Sequence, residues 1–318
     1  MAVVIAFDYP TAEQDLAVYR RTFGLPQCTT ANGCFRKINQ NGGSVPPPSV
    51  VHPDWALEAA LDIDAVSAAC PRCNILLVEA NDNTFGNLLT AVDRARLQGA
   101  RFISMSWGAG ENPGQPLLDS HFNHPGIAFV AAAGNVGFQT SWPSTSPHVT
   151  AAGGTTLNFT QQGGFLSETG WSNGGSGCSR FQEKPSFQSD PGCPRRTTVD
   201  ISAVANPASG LAVYTTTPTA ANATGWLIVG GTSLSSPLIA GMYALAGTPR
   251  AGTFPNSYPY AHPGAFQDIV VGSNGTCGGS YLCTAVRGYD GLTGIGAPRG
   301  VDGLRAPLSR PMAQTQEH

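Results

Sequence analysis

Three groups of residues have types and spacings that could do chemistry together. The first is Gly230-Gly231-Thr232-Ser233-Leu234-Ser235-Ser236-Pro237, which follows the apolar run Trp226-Leu227-Ile228-Val229 and leads into another apolar run over 238–246. That order predicts a buried strand, a tight glycine turn and a helix start, with Pro237 in the first helical turn, where its missing N–H costs nothing. A serine at such a corner is exposed, sits beside the positive end of a helix dipole and lets a substrate approach the backbone closely, as a nucleophile must. A plain N-cap is the other reading, for which Ser235 or Ser236 would serve as well as Ser233.

The second group is Asp54-Trp55-Ala56-Leu57-Glu58-Ala59-Ala60-Leu61-Asp62, in a segment that reads as a helix from Asp54 to Ala69. Glu58 and Asp62 are four residues apart and therefore stack on one helix face. They form either an acidic surface stripe with Asp54, or a pair in which Glu58 takes a serine proton and Asp62 shares a proton with it. The third is the strand-like Ile127–Ala132 ending in Ala133-Gly134-Asn135. Asn135 is a turn residue, or an amide donor aimed at a developing oxyanion. The six histidines, at 52, 121, 124, 148, 262 and 318, include none in a His-Gly-Thr-His segment that would mark a catalytic base.

The elements that must position these groups alternate. A strand over 3–7 is followed by a helix over Thr11–Phe23, a Gly- and Pro-rich loop over 24–53 and the helix from Asp54. Strand candidates at 75–78, 102–105, 127–132 and 149–152 are separated by helical stretches at 85–98 and 115–123, and further candidates lie at 199–203, 211–214 and 226–229. This pattern predicts an α/β fold with a mainly parallel sheet covered by helices on both faces, and a site at the carboxyl ends of the strands.

The chain has 318 residues and no linker that would split it, so a single domain is expected, ending in a flexible tail from about residue 304. Charged residues make up 12%, about half the usual ~25%, and the net charge is -3. No basic stripe suits nucleic acid, and no polybasic or amphipathic segment suits a membrane. Eight cysteines fall into the near-neighbour pairs 28/34, 70/73, 178/193 and 277/283, which favours local disulfides in an oxidising compartment, although 105 connectivities remain formally open. Cys70-Pro71-Arg72-Cys73 also fits a redox motif, but without other features of such a unit.

Late in the chain, Phe266–Gly275 and Val286–Gly294 each hold an aspartate, Asp268 and Asp290, among glycine-rich turns that expose carbonyl oxygens. A hard cation such as calcium takes such ligands, while loop-capping aspartates are the simpler account.

Taken together, Glu58-x-x-x-Asp62, Ser104-Met105-Ser106-Trp107-Gly108, Gly231-Thr232-Ser233-x-x-x-Pro237 and the Asp268-Ile269 with Gly288-Tyr289-Asp290 pair resemble the sedolisins, serine-carboxyl peptidases, over about residues 3–298. The resemblance implies a subtilisin-like three-layer fold with a seven-stranded, mainly parallel sheet, and peptide-bond hydrolysis through an acyl-enzyme. It assigns Ser233 as nucleophile, Glu58 as base and Asp62 as the residue that orients and polarises Glu58. It also implies one structural Ca2+ held by Asp268, Ile269, Val286, Gly288 and Asp290, with valine at 286 where the family usually has glycine.

A secreted monomer acting on peptides or unfolded proteins is expected, as an endopeptidase rather than a tripeptidyl-peptidase, matured from a prosegment that this sequence does not include. Asn135 stands where the family has an aspartate that donates to the oxyanion only when protonated; an amide donates at any pH. An inactive sedolisin-like peptide-binding protein is the alternative, and an esterase using Ser233 ranks lower because no Gly-x-Ser-x-Gly elbow is present.

Overall fold

The computed structural model describes residues 1–45 and 49–307. Its main strands are β1 (Ala2–Ala6), β2 (Phe35–Asn39), β3 (Ile75–Ala80), β4 (Phe102–Met105), β5 (Ala128–Ala132), β6 (Thr150–Phe159), β7 (Phe165–Gly170), β8 (Ile201–Val204), β9 (Leu211–Thr215) and β10 (Gly225–Val229). The main helices are α1 (Ala12–Thr22), α2 (Pro53–Ala69), α3 (Phe85–Leu97) and α4 (Thr232–Ala246). Seven strands run parallel in the order β8-β6-β5-β4-β1-β3-β2, and β7 adds an antiparallel eighth beside β6. The chain winds from β1 outward to β2 and β3, then returns to β4 on the other side of β1. That reversal opens a crevice at the carboxyl ends of the strands, where ligands bind in sheets of this kind.

Side-chain alternation along the strands builds the layers. Val3 and Ile5 of β1 pack with Ala59, Leu61, Ile63 and Val66 of α2, whereas Val4 and Ala6 pack with Leu88, Leu89 and Val92 of α3. In β5, Ala128 and Val130 face Ile239, Ala240 and Tyr243 of α4. Thus α2 and α4 share one face of the sheet and α3 covers the other. The two helices come very close at Gly241, where a Cβ would stand 2.8 Å from that of Ala69.

Four departures from the sequence expectations have physical causes. Strand β2 lies inside the segment read as a loop: its charged Arg36 and Lys37 break the apolar pattern, which an edge strand tolerates. The 115–123 stretch is a 3-10 helix over Gln115–His121, entered through Gly114 and Pro116. Strand β10 is not a buried sheet strand. It forms an antiparallel hairpin with β9 off the main sheet, with Trp226 and Ile228 exposed at 42% and 63%. Trp226 earns its place by packing on Tyr214 and Phe23, with ring centroids 5.2 and 5.7 Å away. Of the tail expected from about 304, Leu304 is buried and residues 308–318 lie outside those described.

The cysteines form the four local disulfides Cys28–Cys34, Cys70–Cys73, Cys178–Cys193 and Cys277–Cys283. No described helix is long and apolar enough to cross a membrane.

Burial strands several carboxyl groups in the fold. Glu79, at the end of β3, is fully buried; its Oε1 accepts the Tyr9 N–H at 2.9 Å and its Oε2 has no partner. Desolvation raises its pKa to about 8, and Lys37, 3.6 Å from Oε1, only partly opposes this. A carboxyl raised in the folded state stabilises the fold while it is protonated, and that contribution is lost as pH rises from its unfolded pKa through its folded one. The melting temperature is therefore expected to fall between pH 5 and 8, and Glu79→Gln to flatten part of that fall by a few degrees in calorimetric scans. An equal fall in the variant would show that Glu79 carries none of it.

Candidate active site

The crevice is a cleft of about 590 Å3 lined from three sides. Helix α2 supplies Asp54, Trp55 and Glu58; the segment after β4 supplies Ser106 to Gly110; the segment after β5 supplies Gly134, Asn135 and Val136. Gln139, Thr140 and Ser141 complete the wall, and Thr232 and Ser233 open α4 into it. The two-residue strand Ala109–Gly110 is exposed and pairs antiparallel with Ser141–Trp142.

Ser233 lies in the first turn of α4, after Gly231, whose φ of +104° demands glycine. It is 7% exposed. The competing serines have other work: the Ser235 hydroxyl donates to the Gly153 carbonyl at 2.6 Å, and that of Ser236 to Val130 at 3.1 Å. Both are fully buried, and neither caps the helix.

Pro237 corrects one sequence expectation. It sits in the second turn of α4, not the first, where its N–H would have bonded the carbonyl of Ser233 four residues earlier. That carbonyl is left without its helical donor, and the Ser106 hydroxyl takes the vacancy at 3.1 Å. The same hydroxyl lies 2.7 Å from Asp62 Oδ1. Having one proton, it can serve only one of these acceptors at a time.

Asp62 is fully buried, which excludes the surface-stripe reading of Asp54, Glu58 and Asp62. Burial raises the Glu58 pKa to about 7, opposed in part by the nearby hydroxyls of Ser233 and Ser106. Asp62 is pushed well above the usual carboxylate range, first by burial and then by the charge of Glu58. Glu58 Oε1 and Asp62 Oδ2 are both buried without a partner, and one proton held between the two carboxyls would satisfy both atoms.

Asn135 is held by its amide oxygen. Oδ1 accepts the Thr232 backbone N–H at 2.8 Å, and the Thr232 hydroxyl lies 2.9 Å away. A backbone N–H can only donate, so the oxygen must face Thr232, and Nδ2 points the other way. Nδ2 stands 3.1 Å from where a Cβ on Gly231 would be. No histidine lines the cleft.

With the geometry in hand, the comparisons agree. The subtilase family model matches residues 55–258. Kumamolisin from Bacillus sp. (strain MN-32) is 30% identical over 288 residues, covering 79% of this chain and 50% of its own length. Pseudomonas sedolisin, a serine-carboxyl proteinase solved with pseudo-iodotyrostatin, superposes with a TM-score of 0.76 at 25% identity, covering 93% of this chain and 89% of that one. The chain belongs to the sedolisin family. Another relative, tripeptidyl-peptidase sed1 of Aspergillus fumigatus, is 30% identical over 190 residues, covering 51% of this chain and 29% of its own. The chain thus spans half or less of these curated relatives.

Of the five residues read as calcium ligands, four are linked in two pairs, and Ile269 is buried with no hydrogen bond to them. The Gly288 N–H donates to Asp268 Oδ2 at 2.9 Å, and the Val286 N–H to Asp290 Oδ2 at 3.0 Å. Asp290 Oδ1 accepts the Thr293 N–H at 2.7 Å. These bonds are the loop-capping ones the chemistry alone suggests. Val286 needs no left-handed backbone, since only Phe7 and Asn222 among the described non-glycine residues have positive φ. Valine therefore replaces the family's glycine without strain. Among the described residues no group of three or more His, Cys, Asp or Glu is placed to hold a metal ion, so a calcium here would rest on two carboxylates and on backbone carbonyls, the hard oxygen donors that such an ion takes.

Roles for Ser106 and Thr232 were not readable in the sequence beyond their places in motifs, because each role rests on a single hydroxyl and its tertiary partners. Ser106→Ala removes a donor from Asp62, so the carboxyl pair is expected to titrate at higher pH, by on the order of one unit. Carboxyl-carbon NMR titration reads this directly, and an unmoved curve would mean that Ser106 does not serve Asp62.

Proposed function

We propose that the chain is a serine-carboxyl endopeptidase in which Ser233, Glu58, Asp62 and Asn135 do the chemistry. The observation that carries this reading is Glu58 lining the cleft beside Ser233, with the fully buried Asp62 one turn further along the helix and both carboxyls raised by desolvation, where Asn135 also lines the wall. In this scheme the Ser233 oxygen attacks the scissile carbonyl carbon while its proton passes to Glu58. Asp62 holds the shared proton and so keeps Glu58 oriented. Asn135 Nδ2 donates to the negative oxygen that develops. Collapse of the tetrahedral species breaks the C–N bond, and the amine leaves with the proton from Glu58. Water, deprotonated by the same group, then releases the acyl-enzyme and restores Ser233. The exposed strand Ala109–Gly110 offers an edge along which an extended peptide can add as a further strand.

The four disulfides fit a secreted enzyme. The proposal includes maturation from a prosegment, action as a monomer on peptides or unfolded proteins, and one structural calcium at Asp268, Ile269, Val286, Gly288 and Asp290. Bound there, calcium would neutralise two carboxylates and tie the 286–290 loop to Asp268.

Incubation with a denatured protein, read by mass spectrometry, tests the activity. Wild type should give internal fragments, and Ser233→Ala should lower the rate by roughly 10⁵–10⁶-fold. No cleavage at any pH would leave a peptide-binding protein, and products advancing by three residues would make it a tripeptidyl-peptidase.

The pH dependence has a definite sign. The pair must lose one of its two protons for Glu58 to act as base, so activity rises with pH through the raised range of the pair. An aspartate donor must keep its proton and would impose a fall at higher pH; an amide imposes none. Asn135→Asp should therefore cut activity at neutral pH while leaving the acid limb in place. Superimposable profiles would count against Asn135 as the oxyanion donor.

Exhaustive chelation should lower the melting temperature by several degrees, restored by added Ca2+, since a ligand bound only to the folded state stabilises it. No shift would remove calcium from the scheme.

A further inference from the structure

We infer that Thr232 is the residue that sets the oxyanion donor, by fixing which end of the Asn135 side chain faces the cleft. The inference rests on the peptidase reading above and deepens it. Thr232 is fully buried at the first position of α4, and its hydroxyl has more neighbours than it has hydrogen-bonding capacity to spare. It accepts the Gly134 N–H at 3.0 Å. Its one proton goes either to Asn135 Oδ1 at 2.9 Å or to the Gly134 carbonyl at 3.1 Å. The backbone N–H of the same residue donates to Asn135 Oδ1 at 2.8 Å.

Thr232 therefore grips the 134–135 segment at several points: one peptide N–H, one peptide carbonyl and the amide oxygen. With the Thr232 N–H donating to Oδ1, the reversed amide would set an Nδ2–H against the N–H of a fully buried residue, where an unpaired donor is costly. Only one orientation survives, and it leaves Nδ2, which has no partner among the described residues, for the substrate oxygen. The residue next to the nucleophile thus fixes the donor as well as following the glycine turn. The arrangement also suits an amide better than a carboxylate. A backbone donor on a carboxylate oxygen would favour its ionised, acceptor-only form, which cannot donate to an oxyanion.

Thr232 is a positioning residue in this account, since it acts through Asn135 and touches no reacting atom. The test is steady-state kinetics on one peptide substrate for wild type, Thr232→Val, Thr232→Ser, Asn135→Ala and the double variant Thr232→Val/Asn135→Ala. Loss of the donor itself should cost about 10²–10³ in kcat, and Thr232→Val about 10-fold with KM unchanged, because only transition-state binding is weakened. Thr232→Ser, which keeps the hydroxyl, should recover most of that loss. The double variant should be no slower than Asn135→Ala alone, since both remove the same interaction.

A serine variant as slow as the valine one, or losses that multiply in the double variant, would overturn the inference and leave Thr232 a packing residue. If wild type shows no Ser233-dependent cleavage, the peptidase reading fails on its own. The orientation claim is then decided by a crystal structure of Thr232→Val. A rotated or disordered Asn135 side chain upholds it, and an unmoved one overturns it.

Discussion

Two carboxyl groups one helical turn apart cannot both ionise where water is excluded. Asp62 meets that constraint because α2 is buried continuously from Ala59 to Ser67, and Glu58 sits half-buried just before that stretch. Small residues make this possible. Helix α4 can press against α2 only because Gly241 has no side chain to meet Ala69. On a solvated helix the same pair would ionise separately as two ordinary acids. Here desolvation raises both and leaves each with an unpartnered oxygen, so the proton one of them keeps belongs to the pair. The core packing and the acid–base chemistry therefore have a common cause.

Serine and carboxyl pair are joined by a defect in a helix. Proline in the second turn of α4 removes the donor that would have bonded the Ser233 carbonyl. That carbonyl then takes part of the Ser106 hydroxyl, which also reaches Asp62. The backbone of Ser233 and the buried acid thus share one proton donor on the strand-loop segment after β4. When Asp62 is ionised the hydroxyl has reason to turn toward it, and when Asp62 is protonated the carbonyl is the better acceptor. The local cost of a proline in a helix is offset by a contact that ties three elements together at the point where the chain must be most exact in position.

Much of this was legible in the sequence, and what was not has physical reasons. The parallel sheet, α2 and the four local disulfides could be read because apolar periodicity and short cysteine spacing are local signals. Strand β2 could not, because Phe35-Arg36-Lys37-Ile38-Asn39 is an edge strand whose charges look like a loop. Strand β10 was misread in the opposite direction: Trp226 to Val229 is apolar, yet it lies on a half-exposed hairpin where Trp226 covers Tyr214 and Phe23. Glu58, Asp62, Ser233 and Asn135 are each named by spacing or by their place at a turn, and the fold brings Glu58, Ser233 and Asn135 to one cleft with Asp62 buried behind Ser106 of its wall. The parts played by Ser106, Thr232 and Pro237 stayed hidden. A hydroxyl or a missing N–H acquires meaning only from the acceptor that tertiary structure places beside it.

The neutral side chain at position 135 also changes the electrostatics of the cleft as a whole. A carboxyl there would make three acids in one partly buried site, each ionisation raising the others through their mutual repulsion. The donor would then be lost over the same pH range in which the base is gained, and the window of activity would be the overlap of two opposed requirements. With an amide there, the pair titrates without a third acid against it, and Asp54 stands exposed at the rim. In the proposed scheme the negative charge that leaves Glu58 as it takes the serine proton reappears on the substrate oxygen, so the net charge of the cleft would not change through the attack. What must change is only its location, from a pair that shares a proton to an oxygen that faces an amide already turned toward it. Because Thr232 fixes that amide before substrate arrives, little reorganisation is left for the moment of reaction, which is the condition under which a single hydrogen-bond donor is worth most.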